Sequence, residues 1–255
     1  MRSDIRPNPW TRLREFTDAR IGLGRSGDSL PTRALLDFQL AHALARDAVH
    51  TPMDVVALER SLIDAGFGKP IIVQSEARDR TQFLLRPDMG RRLGRTSRGF
   101  LTSPASEYDV VFVIADGLSS VATARHALPL LKIVTAELTD WRIAPVVVAT
   151  QARVALGDAV GSLLHAAMTV MLIGERPGLS SPDSMGIYLT FAPREGLTDA
   201  DRNCISNVRP EGLPCHEAAR KLLYLMRESR QLKISGVALK DDSDAGEFLP
   251  DPATS

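Results

Sequence analysis

The sequence predicts an α/β fold, a Rossmann-like and mostly parallel sheet flanked by helices, with a smaller helical lobe at the N-terminus. Three observations carry this expectation. Apolar runs of strand length recur at Val110 to Ala115, Pro145 to Ala149 and Met168 to Ile173, as in strands buried on both faces. Helical patterns at Ser120 to Leu138 and Asp158 to Ala167 lie between them. Strand and helix alternating in this way mark right-handed parallel crossovers.

The elements follow in order. The Arg-, Gly-, Pro- and Ser-rich start reads as an arm. A helix is expected from Pro31 to Val49, with Leu35, Leu36, Leu40 and Leu44 at helical spacing. Thr51 reads as the N-cap of a second helix, with Pro52 at its first position, Asp54 in its first turn and Gly66 as its stop. Ile71 to Val73 and Gln82 to Leu85 read as short β-like stretches, and Arg86 to Arg92 as a basic turn. Pro129 should kink or split the helix that contains it. A last amphipathic helix, Glu217 to Arg230, should bury Leu222, Leu223, Leu225 and Met226. These elements divide into an arm and helical lobe (1–69), a Rossmann-like α/β domain (70–240) and a flexible tail (241–255).

Composition narrows the function. Of 255 residues 44% are hydrophobic and 24% charged, which is ordinary for a globular protein. The 31 basic side chains balance 31 acidic ones, so the basic excess of a nucleic-acid binder is missing. At 5% aromatic residues, a base-stacking platform is not expected either. Apolar runs such as Met168 to Ile173 fall far short of the ~20 residues of a membrane span, and Met1-Arg2-Ser3-Asp4 opens no signal peptide. A cytoplasmic protein with free thiols at Cys204 and Cys215 is expected.

In an open α/β sheet ligands sit beyond the carboxyl ends of the strands, where strand order reverses. Three loops lie on that side: Asp116-Gly117-Leu118-Ser119, the stretch from Arg153-Val154 to Gly157-Asp158, and Gly174-Glu175-Arg176-Pro177. The last opens a polar run to Arg209 that reads as a shaped surface for a large ligand. Other motifs lack their context. Gly22-Leu23-Gly24-Arg25-Ser26-Gly27 has the letters of a dinucleotide fingerprint, but no strand precedes it and no helix opens on it. Gly27-Asp28-Ser29-Leu30 has the letters of an esterase nucleophile block, but no late Asp-x-x-His supplies its base. His42, His50, His126, His165 and His216 form no pair at metal-ligand spacing. No catalytic or metal-ligating set is therefore assigned. The arginines of the Arg86 to Arg92 turn read either as local ion pairs or as a partner-contact patch.

Four blocks together resemble the small subunit of ethanolamine ammonia-lyase. They are Arg86-Pro87-Asp88-Met89-Gly90-Arg91-Arg92-Leu93, Ala115-Asp116-Gly117-Leu118-Ser119, Gly174-Glu175-Arg176-Pro177-Gly178-Leu179 and Asn203-Cys204-Ile205-Ser206-Asn207. They keep the family's order across Leu13 to Val237. The resemblance implies an adenosylcobalamin-dependent lyase converting ethanolamine to acetaldehyde and ammonia. The large subunit would host the chemistry, and this chain, through residues 70–240, would close over the cofactor, with equal numbers of the two subunits. Cofactor contacts carry over onto Val154, Glu175 and Cys204. No histidine sits in an Asp-x-His-x-x-Gly context, so the cofactor is expected base-on. Only a short stretch precedes Leu13, where relatives that work in bacterial microcompartments carry a long extension. The competing expectation is a self-contained Rossmann-like enzyme with a nucleotide cofactor.

Overall fold

Strand order decides where this molecule can hold a ligand. The computed structural model of the chain describes residues 5–6, 8–101 and 107–243. In the arm, β1 (Ile5–Arg6) pairs antiparallel with β2 (Arg25–Ser26). The main sheet comprises β3 (Ile71–Gln74), β4 (Tyr108–Ala115), β5 (Val147–Thr150), β6 (Ala166–Gly174), β7 (Met185–Phe191) and β8 (Arg202–Val208), in the order β3-β5-β4-β6-β7-β8. The pairs from β3 to β6 are parallel, and β7 and β8 continue the sheet antiparallel. The helices are α1 (Thr32–His50), α2 (Val55–Asp64), α3 (Arg80–Leu85), α4 (Pro87–Gly90), α5 (Arg95–Arg98), α6 (Ser120–Ala136), α7 (Leu156–Leu163) and α8 (Cys215–Leu232).

Alternation along the strands feeds two cores. Val110, Phe112 and Ile114 of β4 pack on one face with Leu130 and Leu131 of α6, Leu222 and Met226 of α8, and Leu58 and Leu62 of α2. Val111, Val113 and Ala115 point the other way, into a core with Leu156 and Val160 of α7 and with Leu93 and Leu101. Full burial of each such branched side chain contributes about 1.5–3 kcal/mol. Helix α7 is short and leaves part of β8 uncovered, while β7 stays buried or half-buried. Cys204, Ser206 and Asn207 are exposed there while Arg202, Ile205 and Val208 are buried.

Several sequence expectations need correction. Gln82 to Leu85 is helical, because the Asp79 carboxylate accepts from the Gln82 amide at 2.8 Å and starts α3. Thr51 ends α1, its amide donating to the Asp47 carbonyl, and Asp54 rather than Thr51 caps α2 by accepting from the Ala57 amide. Pro52 therefore lies between the helices. Helix α6 runs unbroken through Pro129, whose neighbours Ala127, Leu130 and Leu131 are locked in the core. The helix expected to reach Ala167 ends at Leu163, and His165 turns the chain at φ 53° into β6. The polar run from Gly174 to Arg209 contains β7 and β8.

Gly66 stops α2 at φ 87°, and Leu222, Leu223, Leu225 and Met226 of α8 are buried as expected. Gly22, Gly24 and Gly27 all have positive φ in the arm, away from any strand-to-helix turn of the sheet. Cys204 and Cys215 are free thiols. Among the described residues no helix is long and apolar enough to cross a membrane. Of the proposed tail, residues 244–255 lie outside those described.

Candidate functional site

Strands β4 and β5 are neighbours, yet the chain leaves them toward opposite faces: into α6 after β4 and into α7 after β5. A crevice must open between their carboxyl ends. Asp116 closes its floor. Its side chain is buried and accepts from the Gln151 amide at 2.8 Å and the Ala152 amide at 3.0 Å. Burial pushes this carboxyl upward, while the two amides and Arg80, 3.6 Å away, oppose the shift. Gln151 takes a left-handed conformation, φ 53°, which sends Arg153 and Val154 toward the α7 face.

The neighbouring rim is fixed by backbone packing. The Leu118 amide donates to the Gly174 carbonyl at 2.9 Å. Gly117 sits at φ 54°, and a Cβ at either Gly117 or Gly174 would collide with backbone of the facing loop. Only glycine lets β4 and β6 end this close together. Ser119 caps α6 and donates its hydroxyl to the Pro182 carbonyl at 2.9 Å. The amino end of α6 is thus enclosed by the segment after β6.

Of the three sequence-derived positions, Val154 and Glu175 follow the carboxyl ends of β5 and β6, while Cys204 lies on β8 at the level of Met171 in β6. Val154 packs half-buried at the edge of the α7-side core, as does Tyr188 of β7. Tyr188 is the register partner of Cys204 on β8, and its hydroxyl shares a hydrogen bond with that thiol. Loss of hydration around the Tyr188 hydroxyl and the Cys204 sulfur raises both groups above their ordinary values. Glu175 stands just beyond β6, over Gly186. Its carboxylate accepts from the Ser184 hydroxyl at 2.7 Å and from the Asn207 amide at 3.2 and 3.3 Å. Asn207 can point its amide there because the β7–β8 register shifts between Met185 and Ile187, and Asn207 itself adopts φ 60°. A carboxylate has about four acceptor positions, so Glu175 keeps capacity for an external donor.

Sequence reasoning missed an arginine cluster behind this shelf. Arg80 donates to the Val49 carbonyl at 2.6 Å and to the Gly117 carbonyl at 2.8 Å. Arg153 lies over the Phe83 ring at 4.2 Å, and its buried Nε has no hydrogen-bond partner. The Gln151 Oε1 is likewise buried and unpartnered. Arg176 and Arg91 are close enough for their charges, after burial and Arg80, to depress the Arg153 proton affinity. The signal was present in Arg153 beside Val154 and Arg176 beside Glu175, but only the fold brings them together. In the turn before them, Arg86 and Arg92 are held by Asp88, and Arg92 also by Glu76. The local ion-pair reading therefore holds for those two.

A family model described as ethanolamine ammonia-lyase light chain matches residues 7–240. This chain belongs to that family. It is 55% identical over 253 residues to the ethanolamine ammonia-lyase small subunit of Azotobacter vinelandii, across 97% of this chain and 93% of that protein. It is 52% identical to the small subunit of Pseudomonas fluorescens, across 96% of each chain. Against the small subunit of Pseudomonas putida it is 55% identical over 243 residues, covering 93% of this chain and 89% of that one. The resemblance drawn from the four sequence blocks is borne out, and so is the mostly parallel α/β sheet expected from the apolar runs.

Proposed function

We propose that this chain is the small subunit of an adenosylcobalamin-dependent ethanolamine ammonia-lyase, converting ethanolamine to acetaldehyde and ammonia. It pairs in equal numbers with a large subunit and closes over the cofactor at their interface. One observation carries the reading: a shelf on which Glu175, just beyond β6, and the exposed Cys204 of β8 flank Tyr188, with Val154 packed on the same core. Such a shelf suits a broad, flat ligand. A second chain completes the enclosure, which is why the larger concavities lie elsewhere. One, of about 540 Å³, is at the opposite ends of the strands beside Tyr108 and His165.

The residues fit a corrin rimmed with primary amides. Glu175, which keeps acceptor capacity beside Ser184 and Asn207, accepts from an amide NH₂. Val154 supplies apolar contact. Cys204, neutral and tied to Tyr188, fills space beside the ring rather than ligating metal. The cofactor would supply the radical chemistry when bound. This chain binds, orients and excludes water. The N-terminal lobe supports the subunit reading, because Leu36, Leu40 and Leu44 on α1 are 57%, 61% and 50% exposed. A partner surface would cover them.

A nucleotide-cofactor enzyme is disfavoured by the enclosed amino end of α6, where a phosphate would have to enter. The test is Glu175→Ala in the assembled complex. Cobalamin affinity should fall by roughly tenfold, the loss of one hydrogen bond to a charged group, with the melting temperature of the complex nearly unchanged. Unaltered affinity, measured by absorbance titration, removes Glu175 from the site.

A further inference from the structure

We propose that Arg209 is a positioning residue of the shelf: without contacting the ligand, it fixes the Glu175 carboxylate in place through two other segments. This rests on the reading of Glu175 as a cofactor contact and adds the group that sets its direction. Arg209 lies just past β8 and is buried. Its Nε donates to the Asn207 Oδ1 at 3.2 Å, and its Nη1 donates to the Ser180 carbonyl at 3.0 Å. Among the described residues it has no hydrogen bond or ion pair with Glu175 itself.

Both acceptors belong to segments that hold Glu175. Asn207 is the first. Its backbone amide donates to the two Glu175 oxygens at 3.3 and 3.2 Å, and a left-handed backbone, φ 60°, aims it there. The Leu213 amide holds the Asn207 carbonyl at 2.8 Å, and Arg209 holds its side chain. The second segment is the loop that begins at Glu175. Its base is closed by the Glu175 amide, which donates to the Ser184 carbonyl at 3.0 Å, and by the Ser184 hydroxyl on the carboxylate at 2.7 Å. Its tip is the turn in which Gly178 and Ser181 exchange backbone bonds at 3.0 and 3.2 Å, with Ser180 inside it. Arg209 therefore ties the tip of the loop to the residue whose amide grips the loop's first side chain.

An ion-pair role does not account for this arrangement. Asp183 and Glu211 stand 4.0 and 3.9 Å from Nη1, and Glu211 is exposed. Asp183 is already held by Arg125 at 2.6 Å. Long or solvated ion pairs contribute little. The shorter bonds go to two neutral acceptors in different segments, and a planar guanidinium fork meets both at once in a fixed geometry.

The experiment is a double-mutant cycle in the assembled complex of both subunits, with hydroxocobalamin affinity read by absorbance titration. Arg209→Gln should weaken binding by roughly three- to tenfold, the worth of about one hydrogen bond. In a Glu175→Ala background the same change should cost less than about twofold, because the group it positions is gone. Asn207→Gly keeps φ 60° without strain and removes the Oδ1 acceptor. It should reproduce the loss seen with Arg209→Gln and should not add to it, and it decides the matter if Arg209→Gln fails to fold or assemble. A purely structural role gives the same factor with and without Glu175, and that additive result would overturn the inference. So would unchanged affinity in Asn207→Gly. Either result leaves the Glu175 contact standing, provided that Glu175→Ala alone weakens binding. Unchanged affinity in Glu175→Ala removes the contact and this inference with it, as does a wild-type complex that binds no hydroxocobalamin.

Discussion

Asp158 and Arg202 meet at 2.5 Å where their side chains are 2% and 1% exposed, joining α7 to β8 beneath the shelf. Burial pushes the Asp158 carboxyl up to about 6, against the pull of Arg202 and with the help of Asp201 and Asp199. The folded protein therefore holds a proton on Asp158 in a window where the unfolded chain has released it. Stability from this group is full below the ordinary carboxylate value of 3.8 and is lost as pH rises through about 6. Asp158→Ala should lower unfolding free energy by about 3–5 kcal/mol, because Arg202 is left charged and buried alone. The double replacement Asp158→Leu with Arg202→Met should recover most of that loss and flatten the pH dependence. Denaturant midpoints at pH 4, 6 and 8 decide it, and a single variant as stable as the wild type would refute the argument. None of this pair was legible beforehand. Asp158 looked like the start of a helix and Arg202 like part of a polar run, and only the β8 register brings them together. Val154, Glu175 and Cys204 are proposed only because their surrounding blocks resemble a family.

Among elements, periodicity located α1 and could not say what it packs on. Leu35, Leu36, Leu40 and Leu44 have helical spacing and would ordinarily face a core, yet they are exposed, and Ala41 and Ala48 are the buried residues of that helix. The proposed function assigns their cover to the large subunit. Leu36→Glu with Leu40→Glu should leave the melting curve of the isolated chain within about 0.5 kcal/mol, as exposed substitutions do. The same pair should weaken assembly with the large subunit by more than about tenfold, the effect of losing central apolar contacts. Sedimentation at matched concentrations reads both, and normal assembly would show that α1 faces solvent in the complex. The parallel strands were legible because burial on both faces leaves unbroken apolar runs. Strand β8 was not, because it buries Arg202, Ile205 and Val208 and exposes Cys204, Ser206 and Asn207. The register shift near Asn207 breaks the period of two as well. Gln82 to Leu85 failed for the opposite reason. Four apolar-leaning residues carry no period, and the Asp79 cap decided the outcome.

At the scale of the whole molecule, two groups of unpaired features stand out. The Arg153 Nε and the Gln151 Oε1 lack partners after β5, and exposed leucines lie along α1. A chain of balanced charge and ordinary composition does not need such features for its own fold, which is complete in its two cores. They make sense as half of a site. The isolated chain should then bind cobalamin weakly and release no acetaldehyde from ethanolamine, and adding the large subunit should restore both. In the assembled complex, cobalamin at a hundred times its dissociation constant should raise the unfolding free energy by about 2.7 kcal/mol, since it binds only the folded form. The isolated chain should show far less at the same concentration. Thermal melts of the two species with and without cobalamin separate these cases. An isolated chain stabilised as strongly as the complex would mean that the shelf is a whole site, and the division of labour between two chains would have to be abandoned.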